Sequence, residues 1–371
     1  MLACLLVLLG WVQSIPRADL NPALPVVEPI FFEMDEDYLG VAHRQVVFSF
    51  PGKDSLVEHT MELLSDGQGQ PLFFYADILT PVCIDNICKP MAIAIYWNLT
   101  GDYVGYGLHP EEPLTKYDHE LFEQADYEKL HALLRNPHSI LERRKLEDLF
   151  DPEAVSAKQV TYKGEEVDAV SGATRKEITE SVVEGALYSC YTIWHLVHGE
   201  VRKKMAAQLE AMYSPALGSR FLGSPYTEYQ MYALRHFERS EMAAHLPRII
   251  ELFETTPPVT RRYILKKLPD SVWASDTLCL DLFRRFSELD INSQTLLVEL
   301  LPHAPVEAAV YLATQAGSMT KNQLTRYLDF LRELPDGEEK EGIQDILRRM
   351  VAQGDYPYSY LIEDYLNAGG R

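Results

Sequence analysis

Apolar and polar positions alternate in short runs through the first half of this chain and recur at helical spacing through the second. Val46-Val47-Phe48-Ser49-Phe50 and Leu72-Phe73-Phe74-Tyr75 have strand composition. Ala92-Ile93-Ala94-Ile95-Tyr96-Trp97, then Thr100-Gly101-Asp102, then Tyr103-Val104-Gly105-Tyr106-Gly107 reads as a hairpin around a Gly-Asp turn. A helix is predicted over 126–134, opened by an acidic residue and closed before Asn136-Pro137. Tyr162-Lys163-Gly164-Glu165 reads as a further tight turn, and 167–170 as a short strand.

From Lys176 the apolar positions Ile178, Val182, Ala186, Tyr191, Trp194 and Val197 keep helical spacing, and Gly199 is placed to end that helix in the left-handed conformation. Pro215, Gly218 and Gly223 then punctuate the chain, and after about residue 223 the strand signals stop. Helices are predicted over 226–237, 242–253, 259–268, 275–289, 293–301, 306–315, 321–334, 338–352 and 359–366. Pro247 must kink the second of these or mark its start. Breaks such as Thr256-Pro257-Pro258 and Pro302-His303-Ala304-Pro305 are short enough to set neighbouring helices antiparallel. The pattern predicts an α+β domain at about 28–205, a small antiparallel sheet with helices, followed by an all-α region at 223–371. Stacked helical hairpins of this kind resemble a HEAT-like α-solenoid, here without a strict sequence repeat. An irregular helical bundle fits the same pattern. No catalytic cluster stands out in the helical half, so its default role is to bind a protein partner or to cap the fold.

With 371 residues the chain can bury a large core and reads as two domains. Acidic residues outnumber basic ones 55 to 34, a formal charge of −21. That field repels nucleic acid and anionic lipid, and it suits a basic redox partner such as a small cytochrome. Leu2 to Val12 is an unbroken apolar run followed by Gln13, Ser14 and Pro16. It is short for a membrane span and matches the core of a secretory signal peptide at about 1–18, although the usual preceding cations are missing. The expectation is an exported protein of the periplasm or cell envelope, with an uncleaved N-terminal membrane anchor as the alternative.

Export bears on the cysteines. Cys83 and Cys88 flank Ile84-Asp85-Asn86-Ile87 in a turn-like setting between Pro81 and Pro90. In an oxidising compartment such a pair closes a loop disulfide worth roughly 2 kcal/mol. The spacing also suits two metal ligands or a redox-active dithiol, but a second ligand pair for zinc is not visible. Cys190 and Cys279 sit on apolar helical faces and read as buried small hydrophobes. His195 and His198 share a helix face near its C-terminus, where metal ligation competes with simple interaction with the helix end. Asn98-Leu99-Thr100 matches a glycosylation sequon, to which no role is given.

The sharpest local signal is Asp168-Ala169-Val170-Ser171-Gly172-Ala173-Thr174. Gly172 permits close backbone approach, Ala173 adds almost no bulk, and Thr174 stands where a helix N-terminus favours phosphate. Thr174-Arg175-Lys176-Glu177 also fits an ordinary capping box. A capping box, however, needs neither the preceding Ser-Gly-Ala nor the upstream Asp. The Asp-x-x-Ser-Gly-Ala-Thr pattern resembles the flavinylation motif of the FMN-binding domains in sodium-pumping quinone reductases and related electron-transport complexes. The resemblance is specific only over about 168–187. It implies FMN carried covalently by a phosphoester bond to Thr174, a phosphate seat shaped by Ser171, Gly172 and Ala173, and Asp168 as an acidic anchor read by a flavin transferase.

Lys116 and His119 lie in the polar segment Leu114-Thr115-Lys116-Tyr117-Asp118-His119-Glu120, where that family often supplies contacts to the flavin. This wording departs from the family's usual one. A solvated loop capping the next helix is the competing reading. The implied function is extracytoplasmic electron transfer by a carrier, or by a subunit of a membrane reductase complex, rather than by a stand-alone catalyst. The rival is a non-enzymatic envelope adaptor whose helical half binds a partner.

Overall fold

The computed structural model describes residues 27–34, 40–52, 57–84, 87–116, 119–143, 160–162, 165–167, 180–354 and 356–368. The chain divides into two compact units between Met212 and Tyr213. The expected export segment, and residues 168–179 with the Asp168–Thr174 motif, lie outside the described residues.

The first unit is built on a six-stranded antiparallel sheet of β1 (Pro29–Phe32), β2 (His43–Pro51), β3 (Glu58–Ser65), β4 (Pro71–Ile84), β5 (Ile87–Trp97) and β6 (Tyr103–Gly107). The spatial order is β1-β6-β5-β4-β3-β2, so each of the last five strands pairs with its sequence neighbour and β1 closes on β6. The Gly-Asp hairpin forms as expected: Gly101 has φ 83° and its N–H donates to Asn98 O. Asn98 is buried, and its side-chain oxygen accepts from Asp102 N and the Thr100 hydroxyl. The sequon is therefore a turn-closing device in this fold. Gly105 has a packing reason, since a Cβ there would come within 2.0 Å of Phe31 O on β1.

Strand β3 carries only a weak alternation, buried at His59, Met61 and Leu64, and went unrecognised in the sequence. The chain reverses between Cys83 and Cys88, as their turn-like setting implies, but the strands reach further than expected. β4 and β5 run straight through Pro81 and Pro90, which face each other in the register, as do Cys83 and Cys88. The physical reason is ladder position. β3 pairs with β4 only over residues 71–75, and β6 with β5 over 94–97. The distal half of the hairpin therefore needs hydrogen bonds on one side only, and a proline costs little on a free edge.

One sheet face packs against α1 (Gln124–Leu134), α2 (Leu187–His198) and α3 (Val201–Met212). Trp97 Nε1 donates to Val197 O at 3.1 Å, and Trp194 Nε1 donates to Asn136 O at 2.9 Å. These bonds fix the angle of α2, because a buried indole N–H must find an acceptor. The long helix expected from Lys176 is interrupted: Gly185 takes φ 73°, and α2 begins only at Leu187. Gly199 ends it with φ −80°, not in the left-handed region, and α3 follows almost at once. β7 (Val160–Tyr162) and β8 (Glu165–Val167) flank the expected turn at Lys163-Gly164 as a separate two-stranded hairpin.

The second unit is all helical. Its twelve described α-helices begin with α4 (Pro215–Gly223), α5 (Thr227–His236), α6 (Arg239–Ala244), α7 (Leu246–Thr255), α8 (Pro258–Lys267) and α9 (Asp270–Trp273). They continue with α10 (Asp276–Arg284), α11 (Ile291–Leu300), α12 (Val306–Gln315), α13 (Lys321–Glu333), α14 (Glu338–Gln353) and α15 (Ser359–Ala368). Pro247 stands in the first turn of α7 and so starts that helix. The single helix expected over 275–289 is α10 followed by a 3₁₀ turn at Phe286–Glu288.

Helices α5, α8, α11, α13 and α15 stack side by side as one layer, while α10, α12 and α14 form a second. This is a solenoid-like arrangement, and it contains a regularity the sequence reading missed. Leu268-Pro269, Leu301-Pro302 and Leu334-Pro335 recur 33 residues apart, each at the end of a first-layer helix. Thr260, Ser293 and Gln323, the third residues of α8, α11 and α13, are all buried. Gln323 Nε2 donates to Ile291 O at 3.0 Å and to Thr295 Oγ1 at 3.1 Å, stitching adjacent repeats. A repeat of buried polar residues in the first helical turn is invisible to a search for apolar periodicity.

Candidate functional site

The Asp168–Thr174 motif enters between two described anchors. Before it, β8 ends at Val167, and after it the chain is described again from Glu180. Ala186 and Tyr188, at the start of α2, line a cleft together with Val82, Met91, Leu114 and Lys116. The lining is mixed, with Thr115 and Ser189 among the apolar residues, and Lys89 adds a second cation. Its volume is about 50 Å³, room for a few waters.

Lys116 is held in place from below. Its Nζ lies 2.8 Å from Asp126 Oδ2, with both side chains only 16% exposed. The hydrogen bond to Asp126 raises the Lys116 pKa, so the ammonium stays charged. Partial burial pushes Asp126 upward, but hydrogen bonds from Lys116 and from Glu123 N outweigh it and hold the carboxyl below its usual range. Asp126 is also half of a capping box with Glu123, at the first turn of α1. The expected alternative, a loop tied to the next helix, therefore describes Lys116 too: one side chain borders the cleft and braces a helix start.

His119 is elsewhere. Lys116 N donates to Glu120 O and Phe122 N to Leu114 O, pairing 114–116 with 120–122. His119 is exposed between them with φ 63°, and it is not among the residues lining the cleft. A histidine tolerates the left-handed region better than most residues, which accounts for its place in a tight turn. The structure thus brings Lys116, but not His119, beside the start of α2.

The two helix-end histidines have structural partners. His198 Nε2 donates to Leu134 O at 2.7 Å, and burial lowers its pKa to about 4. His195 packs edge-on between the rings of Tyr191 and Trp194. Among the described residues no group of three potential metal ligands gathers anywhere. Cys190 and Cys279 are buried thiols, and burial pushes them up to about 12 and about 11.

One polar chain escaped sequence reasoning altogether. Tyr103 Oη lies 2.8 Å from His131 Nδ1, His131 Nε2 lies 3.1 Å from Glu33 Oε1, and Arg135 Nε lies 2.8 Å from Glu33 Oε2. Phe31 stacks on the imidazole with ring centroids 4.5 Å apart. Burial above all, with Tyr106 and Glu33 adding to it, drives the Tyr103 phenol well above its ordinary pKa. This chain links β1, β6 and α1, and only His131 and Arg135 are close enough in sequence to have signalled it.

Among the described residues no helix is long and apolar enough to cross a membrane. No family model, curated protein or solved structure matches the chain. The flavin resemblance accordingly rests on the motif residues themselves.

Proposed function

We propose that the first unit is a flavin-carrying electron-transfer module, with FMN joined to Thr174 by a phosphoester bond. The observation that carries this reading is the complete Asp168-x-x-Ser171-Gly172-Ala173-Thr174 pattern, followed closely in the chain by residues that line one cleft with Lys116. FMN, when bound, would supply reversible uptake and release of electrons. Ser171, Gly172 and Ala173 would seat its phosphate and Asp168 would mark the motif for a transferase. Lys116, a fixed cation, would favour negative charge gained by the group on reduction. The fit is partial. Cleft chemistry, a mixed wall with two lysines, suits a flavin edge, but a volume of about 50 Å³ does not enclose a ring. The described cleft is therefore a contact edge rather than a complete pocket. Export to the periplasm or envelope, maturation by a flavin transferase, and exchange of electrons with a redox protein or membrane reductase complex belong to the same proposal.

The test is the intact mass of the full chain produced with and without a flavin transferase. Covalent attachment adds about 440 Da, the mass FMN chemistry gives for an FMN residue, and leaves a yellow chain after denaturation. Absence of that mass in protein matured with the transferase would sink the proposal.

A second reading, an adaptor with a protein partner on the helical unit, draws on a separate observation. The exposed large hydrophobic residues described in that unit are Val259, Ile291 and Tyr360. All three stand at the first or second position of stacked helices α8, α11 and α15. A row of exposed apolar groups is a feature of docking surfaces. The two readings are compatible in one molecule.

A further inference from the structure

The sheet of the first unit has a second face, and it is open along the distal part of the β4–β5 hairpin. On β4, Asp77, Leu79 and Pro81 alternate with the buried Ala76, Ile78, Thr80 and Val82. They therefore share the face turned away from the core. Leu79 is 58% exposed there, and Pro81 and Pro90 beside it are exposed as well. Asp77, Leu79, Ala92, His109, Glu111 and Glu112 border a groove of about 550 Å³. Its one basic group, His109, is 2.7 Å from Asp77, while Glu111 and Glu112 stand exposed on the rim. The chain's composition has the same sign: residues 1–212 hold 33 acidic against 17 basic residues, and 213–371 hold 22 against 17.

We infer that this outer face of the β4–β5 hairpin is the docking surface for a basic redox protein that exchanges electrons with the first unit. The inference rests on the electron-transfer reading above and adds the place and the charge of the partner. An apolar centre inside an acidic rim matches a partner that presents lysines around an apolar patch: the rim steers and the centre holds. The hairpin itself supplies the connection. Its opposite face, through Val82, Lys89 and Met91, borders the candidate flavin cleft, and Pro90 reaches the same cleft from the strand between them. Side chains on the two faces of one sheet are divided only by a single backbone layer. A partner seated on Leu79 would be one strand's thickness from the cleft, without entering it. An acidic rim also disfavours a second copy of this acidic chain.

The probe is oxidised mitochondrial cytochrome c, a strongly basic haem protein, titrated into the full-length chain by calorimetry. Saturable one-to-one binding is expected, weakening at least tenfold between 20 and 200 mM salt, the signature of rim electrostatics. Glu111→Lys with Glu112→Lys should weaken binding tenfold or more, and Leu79→Ser about threefold. Glu128→Lys, on α1 at the covered face, is the charge control and should change affinity less than twofold. No saturable binding would overturn the proposal. So would weakening by Glu128→Lys of half or more of the double variant's effect on a logarithmic scale, since it carries half the charge change, which would mean that only the net charge is felt. Flavin mass is read on the same samples. Site-specific docking by a chain without flavin would refute the electron-transfer reading alone, whereas flavin without docking would refute the surface alone.

Discussion

Lys116 Nζ and Asp126 Oδ2 are 2.8 Å apart, so the segment beside the cleft and the first turn of α1 are joined by one ion pair. Asp126 serves two structures at once, since it also accepts from Glu123 N at 2.9 Å. Asp126→Ala should remove half of the capping box and loosen Lys116 together, costing about 1 kcal/mol in chemical denaturation. Lys116→Met leaves the cap intact and should cost less. In flavin-loaded protein the same Lys116→Met change should lower the reduction potential, as measured by potentiometric titration. An unchanged potential would remove Lys116 from the flavin's surroundings.

Thr174 separates a flavin seat from a helix cap. Thr174→Ser keeps a hydroxyl and should retain some flavin. Thr174→Ala loses both oxygen and cap, abolishing attachment and costing about 1 kcal/mol. Thr174→Asn caps as well as Thr but cannot form the phosphoester, so it should fold normally and lack the added mass of about 440 Da. A flavin mass persisting on Thr174→Asn would place the attachment elsewhere.

The thiols give a third expectation. Cys83 and Cys88 are direct partners in the β4–β5 register, a position from which neighbouring strands can be bridged. Peptide mapping under non-reducing conditions should recover them linked, with Cys190 and Cys279 as thiols. Replacing both with Ser should destabilise the unit by roughly 2 kcal/mol, the worth of a short loop. Two alkylatable thiols at 83 and 88 in protein from an oxidising compartment would refute the link.

His198 predicts an acid limb in stability. Burial lowers its pKa from 6.5 to about 4 in the folded protein. The unfolded chain therefore takes up the proton first, and stability falls as pH drops from about 6.5 toward about 4. The loss approaches roughly 3 kcal/mol, at about 1.4 kcal/mol per pH unit. His198→Gln can still donate to Leu134 O but does not titrate. Denaturation at pH 7.5, 5.5 and 4.5 should show wild type losing ground to His198→Gln only at the acidic values. Parallel curves would mean that His198 is not the group responsible.

Gln323 is fully buried in the helical unit, with donors to Ile291 O and Thr295 Oγ1 and an acceptor for Thr320 N at 2.8 Å. Gln323→Leu keeps the bulk but strands these partners. It should cost about 2 kcal/mol, the desolvation penalty of an unsatisfied buried group. Thr325→Val, at an exposed hydroxyl on the same helix, should be near neutral. Flavin content should be untouched by either change.

The sequence by itself determined the order of elements, an α+β unit before an all-α one, because periodicity reports which face each segment must bury. Helix starts at Pro247, Val306, Lys321 and Glu338 were legible for the same reason, being set by prolines, caps and local spacing. Cys190 and Cys279 likewise showed their burial through their apolar neighbours. The Asp168–Thr174 motif was legible as chemistry, since its small residues and threonine are consecutive.

Only the tertiary structure decided what depends on distant partners. β3 forms because β2 and β4 pair with it, although its own alternation is weak. Pro81 and Pro90 sit in strands because their outer edges need no ladder. Gly185 breaks a helix whose apolar spacing continues unbroken across it. Lys116 meets Asp126, and Tyr103 meets His131 and Glu33, through contacts that no spacing rule encodes. The open face around Leu79 is a fact of the same order: a strand's alternation says that two faces differ, and only packing decides which of them is left uncovered.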